Sequence, residues 1–257
     1  MRTNIGIKIG IIGGSGLENP KILKDPKEKR VKTAYGKPSS DLIIGKIQDV
    51  NVVLLSRHGR EHTIPPTQVN FRANIQALKN AGCTHILATS AVGSLREKIK
   101  RGDLVILDQF IDFTKHRATS FYETFEPHKP KHTAMPDPFD GNLRKLLVKN
   151  CKELGLPFHP TGCVVTIEGP RFSTRAESVM FRKWGADVIN MSIAPEAILA
   201  NEAGIPYAAV AMSTDYDCWK RDEKPVTWDQ ILAVFKQNVE KVTRLLIKTI
   251  PEIGKND

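Results

Sequence analysis

Ile5-Gly6-Ile7-Lys8-Ile9-Gly10-Ile11-Ile12, followed at once by Gly13-Gly14-Ser15-Gly16, is the stretch that decides the fold. A near-continuous β-branched run predicts a strand covered on both faces, as in a parallel or mixed central sheet. Working outward, similar runs recur. Asp41 to Ile47 and Asn51 to Ser56 predict two strands joined by a tight turn at Gln48-Asp49. Thr84 to Thr89, Asp103 to Leu107, Gly162 to Ile167, Asp187 to Asn190 and Tyr207 to Met212 predict further strands. Helical stretches lie between them: Thr67 to Ala81, stopped by Gly82, and Asn142 to Leu154. Thr174 to Trp184 opens with the capping box Thr174-Arg175-Ala176-Glu177, and Pro195 starts a helix that Gly204 ends. The last helix opens at Thr227-Trp228-Asp229-Gln230, with Ile231, Leu232, Phe235, Val239, Val242, Leu246 and Ile250 on one face. Alternating strands and helices, with no linker, repeat or low-complexity tract, predict an α/β protein. It is expected to be one domain spanning 1–257, a mixed central sheet flanked by helices.

Composition narrows the function classes. A chain of 257 residues, 40% hydrophobic and 26% charged, is long enough for a sizeable core and is not disordered. No apolar run approaches a membrane span, and the start of the chain has no signal-peptide core, so a cytoplasmic location is expected. Cys83, Cys151, Cys163 and Cys218 form no CxxC or CxH pair, which argues against zinc ribbons and redox motifs. The net charge of +10 is compatible with nucleic acid, a membrane surface or a small anion. The basic residues are scattered, however, and the densest group, Lys21 to Lys32, is interleaved with Asp25, Pro26 and Glu28. A solvated surface and a small anionic ligand fit better than a nucleic-acid track.

Several motifs sit at predicted strand ends, where α/β proteins hold ligands. Gly13-Gly14-Ser15-Gly16 fails as a dinucleotide fingerprint, because Asn19 and Pro20 follow where a glycine and a helix should. An anion-cradling turn and an ordinary tight turn both remain open. Arg57-His58-Gly59-Arg60 offers donors to an oxyanion, or is a solvated basic turn; His58 and His62 are too poorly placed for a metal pair. Ser90-Ala91-Val92-Gly93-Ser94 reads as a small-residue loop suited to an anion or a ribose. In Glu168-Gly169-Pro170-Arg171-Phe172-Ser173, Glu168 and Arg171 pair across a bend, or Phe172 stacks on a flat ligand. Asn190-Met191-Ser192 ends one strand and Asp215-Tyr216-Asp217 another; the two carboxylates suit a heterocycle or acid chemistry. Thr114 to Pro138, with His116, His128, His132 and four prolines, is a long irregular segment of the kind that carries function.

Taken together, the motifs resemble one family. Gly10 to Leu17, Arg57 to Arg60, Asn70 to Asn74, Gly93 to Arg96, Asp108 to Asp112, Ile167 to Ser173, Trp184 to Met191 and Thr214 to Trp219 are similar, in order, to the 5′-methylthioadenosine phosphorylases. These form part of the trimeric branch of the purine nucleoside phosphorylases. The resemblance implies phosphorolysis of methylthioadenosine to adenine and 5-methylthioribose 1-phosphate, with inorganic phosphate as co-substrate and no metal or organic cofactor. It places phosphate on Ser15, Arg57, His58, Ser90, Ala91 and Ser192, the ribose along Met191, and adenine among Phe172, Ser173, Asp215, Tyr216 and Asp217. Asp215, aided by Asp217, is the implied acid at N7. The 5′-alkylthio group falls to Trp228, Ile231 and Leu232, closed by His132 of an adjacent subunit in a homotrimer or dimer of trimers. Ser15, Ser90 and Ser192 stand where many members carry threonine, and Trp228 is bulkier than the usual aliphatic residue. The rival readings are a 6-oxopurine nucleoside phosphorylase, which should prefer an amide at Asp215, and a non-catalytic nucleotide- or nucleic-acid-binding protein.

Overall fold

A computed structural model describes residues 6–14, 22–221 and 228–255, except for the side chains of 228–233, 235 and 236. The opening run forms β1 (Lys8–Gly13), buried from Ile9 onward. β1 lies parallel to β4 (Val50–Ser56) on one side and to β5 (His85–Ser94) on the other. β3 (Leu42–Ile47) returns antiparallel to β4 through the expected turn, where Gln48 takes a positive φ of 51°. One edge is closed by β2 (Lys24–Lys29), a strand absent from the sequence-based expectation. Its residues are exposed and it carries Pro26, so no apolar pattern marks it; lysine and proline are what an unpaired edge requires.

The sheet changes direction at β5. The first half of β5 pairs with β1, and nearly its whole length runs parallel to β11 (Tyr207–Tyr216). Its last residues, Gly93 and Ser94, pair antiparallel with β10 (Val188–Asn190). Beyond β10 lie β9 (Cys163–Ile167) and β7 (Gln109–Phe113), all three mutually parallel. β6 (Leu104–Ile106) and the two-residue β8 (Phe158–His159) pair beside β11, giving eleven strands among the described residues. The carboxyl ends of β1 and β4 therefore face those of β9 and β10 across the middle of β5. Such a reversal leaves a crevice at the strand ends.

Two of these features correct the expectation. Ser90 to Ser94 is strand, not loop, because β11 continues to Tyr216 and pairs with it through one register shift after Ser213. β7 and β8 are too short or too mixed in polarity to announce themselves.

Helices cover both faces. α1 (Phe71–Asn80) and α4 (Ile193–Glu202) share one apolar cluster with Ile12, Val53, Ile86 and Tyr207. α2 (Gly141–Glu153) and α5 (Trp228–Thr249) sit on another with Ile9, Leu54, Leu87 and Val210. α3 (Arg175–Lys183) covers a third around Leu95, Val165 and Phe181. α1 starts later than expected, at Phe71, because the Asn70 side chain accepts from the Ala73 amide and caps it there. The Thr174 capping box forms with both arms made. Thr227, the expected cap of α5, lies outside the described residues.

Candidate active site

A cavity of about 390 Å³ opens where the sheet reverses, lined from β5, β10, β11 and the turns after β1, β4 and β9. Ser90 and Ala91 from mid-β5 line it together with Arg57 and His58 after β4 and Met191 and Ser192 after β10. Phe172, Ser173, Asp215 and Asp217 line the far end. Sequence stretches more than 200 residues apart thus meet because the strand ends converge, not because any local motif holds them.

The anion-facing end is built around Arg57, whose side chain is 1% exposed. Its Nε and Nη2 donate to Glu196 Oε1 and Oε2 at 2.5 and 2.9 Å, and its Nη1 donates to the Thr89 carbonyl at 2.8 Å. The Tyr207 hydroxyl adds a third bond to Glu196, at 2.9 Å. A buried pair of this kind is held by its geometry; either partner alone would be costly. Gly14 fits closely here: a Cβ would lie 3.0 Å from Arg57 Nη1 and 3.3 Å from the Thr89 carbonyl, so Arg57 would have to give way. The glycine turn therefore makes room for Arg57. Glu196 and Tyr207 escaped the sequence reading, since each sits inside an apolar element and no motif flags them.

His58 Nδ1 lies 2.9 Å from the Ile64 carbonyl, which can only accept, so Nδ1 carries the hydrogen and Nε2 is an acceptor in the neutral ring. Burial, with the neighbouring Arg57 guanidinium next, pulls the His58 pKa down to about 4. His62 stacks beside it with ring centres 4.6 Å apart. No group of three or more His, Cys, Asp or Glu converges as a metal site among the described residues.

Ser90 Oγ accepts from Asn190 Nδ2 at 3.1 Å, and Asn190 Oδ1 accepts from Thr166 Oγ1 at 2.9 Å. This buried chain fixes the β5–β10–β9 junction. Ser192 is the N-cap residue of α4, yet its side chain makes no cap bond. Thr166 Oγ1 accepts from the Ala194 amide at 3.1 Å in its place, which leaves the buried Ser192 hydroxyl lining the cavity with Arg57 and Ser90, where it suits an anion. The helix begins at Ile193, two residues before the expected Pro195.

At the other end, β11 shifts register against β5 between Ser213 and Asp215, a bulge that turns Asp215 and Asp217 into the cavity. Gly93 leaves space for both: its missing Cβ would lie 3.3 Å from Asp215 Oδ2 and 3.5 Å from the Asp217 Cβ. Thr214 Oγ1 donates to Asp215 Oδ1 at 2.7 Å. Asp217 is 8% exposed, and burial raises its pKa against the opposing pull of Ser178, the Cys218 amide and Ser173. Those hydroxyls stay outside hydrogen-bond geometry, so Asp217 Oδ2 has no partner among the described residues. Phe172 is 62% exposed at the rim, an uncovered aromatic face.

Three expectations fare differently. Tyr216 does not line the cavity: strand alternation sends its ring the other way, toward Trp219 at 6.1 Å and the Lys220 ammonium at 4.1 Å. Glu168 pairs with Arg117 at 3.3 Å, not with Arg171, which forks onto Glu177 at 2.6 and 2.8 Å. His132 lies in a separate basin with Phe125, Tyr122, Phe110 and Ile198 and touches nothing in this cavity. Ser15 lies outside the described residues, as do the side chains of Trp228, Ile231 and Leu232 on α5.

The sequence profile of the phosphorylase superfamily matches residues 8–251. The S-methyl-5′-thioadenosine phosphorylase of Danio rerio is 54% identical over 260 residues, covering 100% of this chain and 92% of that protein. Its counterpart in Xenopus tropicalis is 56% identical over 254 residues, covering 98% and 90%. Among solved structures, the methylthioadenosine phosphorylase of Schistosoma mansoni in complex with adenine superposes with a TM-score of 0.92. It is 42% identical, covering 98% of this chain and 93% of that one.

Proposed function

This chain belongs to the phosphorylase superfamily and, within it, to the family of the S-methyl-5′-thioadenosine phosphorylases; on that premise we propose how its cavity performs the reaction. The enzyme is a pentosyltransferase that cleaves 5′-methylthioadenosine with phosphate, yielding adenine and 5-methylthioribose 1-phosphate for purine and methionine salvage. The observation that carries this reading is the polarity of one cavity: hydroxyls, an arginine and a histidine at one end, two carboxylates and an open aromatic face at the other.

Phosphate sits among Ser90, the Ala91 backbone, Ser192, His58 and Arg57, with Ser15 completing the set. Arg57 is already matched by Glu196, so the site carries less free positive charge than its arginine implies. Neutral His58 accepts a hydrogen bond from a protonated phosphate oxygen through Nε2. One phosphate oxygen then attacks C1′ as the bond to adenine breaks, and the remaining negative charge stabilises the oxocarbenium-like sugar lying against Met191.

Adenine stacks on Phe172 beside Ser173. It leaves easily only if N7 is protonated, and its amino group needs an acceptor. Asp215, aided by Asp217, meets both needs with one proton held by the pair; burial raises the Asp217 pKa. A 6-oxopurine would instead find an acceptor where it needs a donor.

The 5′-methylthio group faces the first turns of α5, at Trp228, Ile231 and Leu232. His132 of a neighbouring copy closes that pocket in a homotrimer or a dimer of trimers. A single domain, a cytoplasmic location, phosphate as co-substrate and no other cofactor belong to the same proposal. Among the described residues no helix is long and apolar enough to cross a membrane.

Adenine release from methylthioadenosine, with and without phosphate and beside adenosine and inosine, tests the reading. Release that needs phosphate and prefers methylthioadenosine is expected. Equal release without phosphate would mean a hydrolase, and a preference for inosine would mean a 6-oxopurine enzyme.

A further inference from the structure

Behind the cavity wall lies a buried cation that the reaction described above does not use. Arg117 comes from the irregular segment after β7, and its side chain is 2% exposed. Its Nη1 donates to the Met191 carbonyl, while its Nη2 donates to the carbonyls of Glu168 at 2.6 Å and Ile167 at 3.4 Å. Its Nε donates to Glu168 Oε1 at 3.3 Å. The other carboxylate oxygen of Glu168 accepts from the backbone amides of Lys115 and His116 at 2.6 and 3.2 Å, tying the root of the segment to the same point.

The identity of those carbonyls matters. Met191 is the residue before Ser192, at the anion-facing end. Ile167 and Glu168 lead directly into the turn that carries Phe172 and Ser173, at the base-facing end. One planar guanidinium thus bonds to both walls at once, although Arg117 itself does not line the cavity. The Phe71 ring of α1, 5.2 Å from the guanidinium carbon, backs the group from a third side.

We propose that Arg117 is a positioning residue that sets the separation between the phosphate-holding and base-holding walls, and through it the approach of phosphate to C1′. The proposal rests on the phosphorolysis reading. A lysine would retain the charge but lose the fork, because a compact ammonium cannot span carbonyls on two walls with fixed geometry. Misplacing reactants by about 1 Å can cost about 100-fold in rate, so Arg117→Lys should lower kcat by one to two orders of magnitude. KM for phosphate and for the nucleoside should change far less, since every residue touching them remains.

The experiment is steady-state kinetics in both substrates for wild type, Arg117→Lys, Arg117→Ala and Glu168→Gln, alongside thermal melts. Wild type is assayed first: turnover that ignores phosphate overturns the phosphorolysis reading, whatever the variants do. With that reading intact, a low kcat at near-native KM in folded Arg117→Lys supports the proposal. Partial recovery of kcat when methylguanidinium is added to Arg117→Ala also supports it. A kcat within twofold of wild type in Arg117→Lys overturns it, as does a loss that only tracks the folded fraction. Should the Arg117 variants not fold, Glu168→Gln keeps the carbonyl bonds but loosens the fork. Its kcat should fall about three- to tenfold at unaltered KM, the worth of one hydrogen bond. No change there overturns the proposal.

Discussion

At the scale of single residues, the cavity gives Arg57 two duties with separable consequences. On the proposed reading, removing it deletes a phosphate donor; it also leaves the fully buried Glu196 with Tyr207 as its remaining hydrogen-bond donor among the described residues. Arg57→Ala should therefore cost about 3–5 kcal/mol of stability as well as raising KM for phosphate. Adding Glu196→Ala should restore part of the stability, because the orphaned charge is gone, and none of the phosphate affinity. Urea midpoints beside phosphate titrations check this; a single variant as stable as wild type would show that the pair does not shape the fold. His58 makes a second prediction. Its pKa falls from an ordinary 6.5 to about 4 on folding, so between those values the unfolded chain binds the extra proton. Stability from this group is complete above about pH 6.5 and is lost as pH drops toward 4, roughly 3 kcal/mol in all. Asp217, raised by burial, works in the opposite sense, losing its contribution as pH rises through its folded value. His58→Gln should flatten the acid limb of a stability-against-pH curve, and an unaltered limb would assign it to other groups. Most of this site was readable as residue types at strand ends. Glu196, Tyr207 and Arg117 were not, because a buried ion pair is invisible until the elements that bury it are placed.

Elements explain which residues could be read and which could not. α3 announced itself, since Thr174 and Glu177 sit three apart and both arms of the box form. β1 was equally plain. β2 offered lysines, an aspartate and a proline, which no periodicity rule selects, and it exists only because β3 needs an edge partner. β5 was cut short because Ser90-Ala91-Val92-Gly93 looks like a turn; its small residues line the cavity while β11 supplies the pairing. The start of α4 carries a prediction. Ser192 stands at the N-cap position without capping. An ordinary capping serine contributes about 1 kcal/mol, so Ser192→Ala should change stability by much less. KM for phosphate should rise, however, if the hydroxyl is reserved for the anion. Thr174→Ala is the control, expected to lose about 1 kcal/mol with little effect on phosphate. Equal losses in the two variants would mean that Ser192 serves the helix.

For the whole molecule, the decisive fact is where His132 is not. It packs edge-on against Phe125, 5.8 Å between ring centres, in a basin that shares no lining residue with the catalytic cavity. Phe125 is 47% exposed, an aromatic ring half open to water on a single copy. If His132 acts on the nucleoside, it must do so in another copy's cavity, and each site is then a joint product of two chains. Closed rotational symmetry makes that arrangement identical at every site. The prediction concerns mixtures. Asp215→Asn should disable the cavity of its own chain, and His132→Ala should impair the cavity of the neighbour it serves. When the two variants are unfolded together and reassembled in equal amounts, about a quarter of the sites in cyclic assemblies should pair a native Asp215 with a native His132. Activity on methylthioadenosine should then exceed the mean of the two variants assembled separately. Sedimentation at assay concentration should show a trimer or a multiple of it. If each chain uses its own His132, no mixture can recover anything, because every cavity carries one defect or the other. A mixture that never rises above the mean, or a fully active monomer, would confine the active site to one chain.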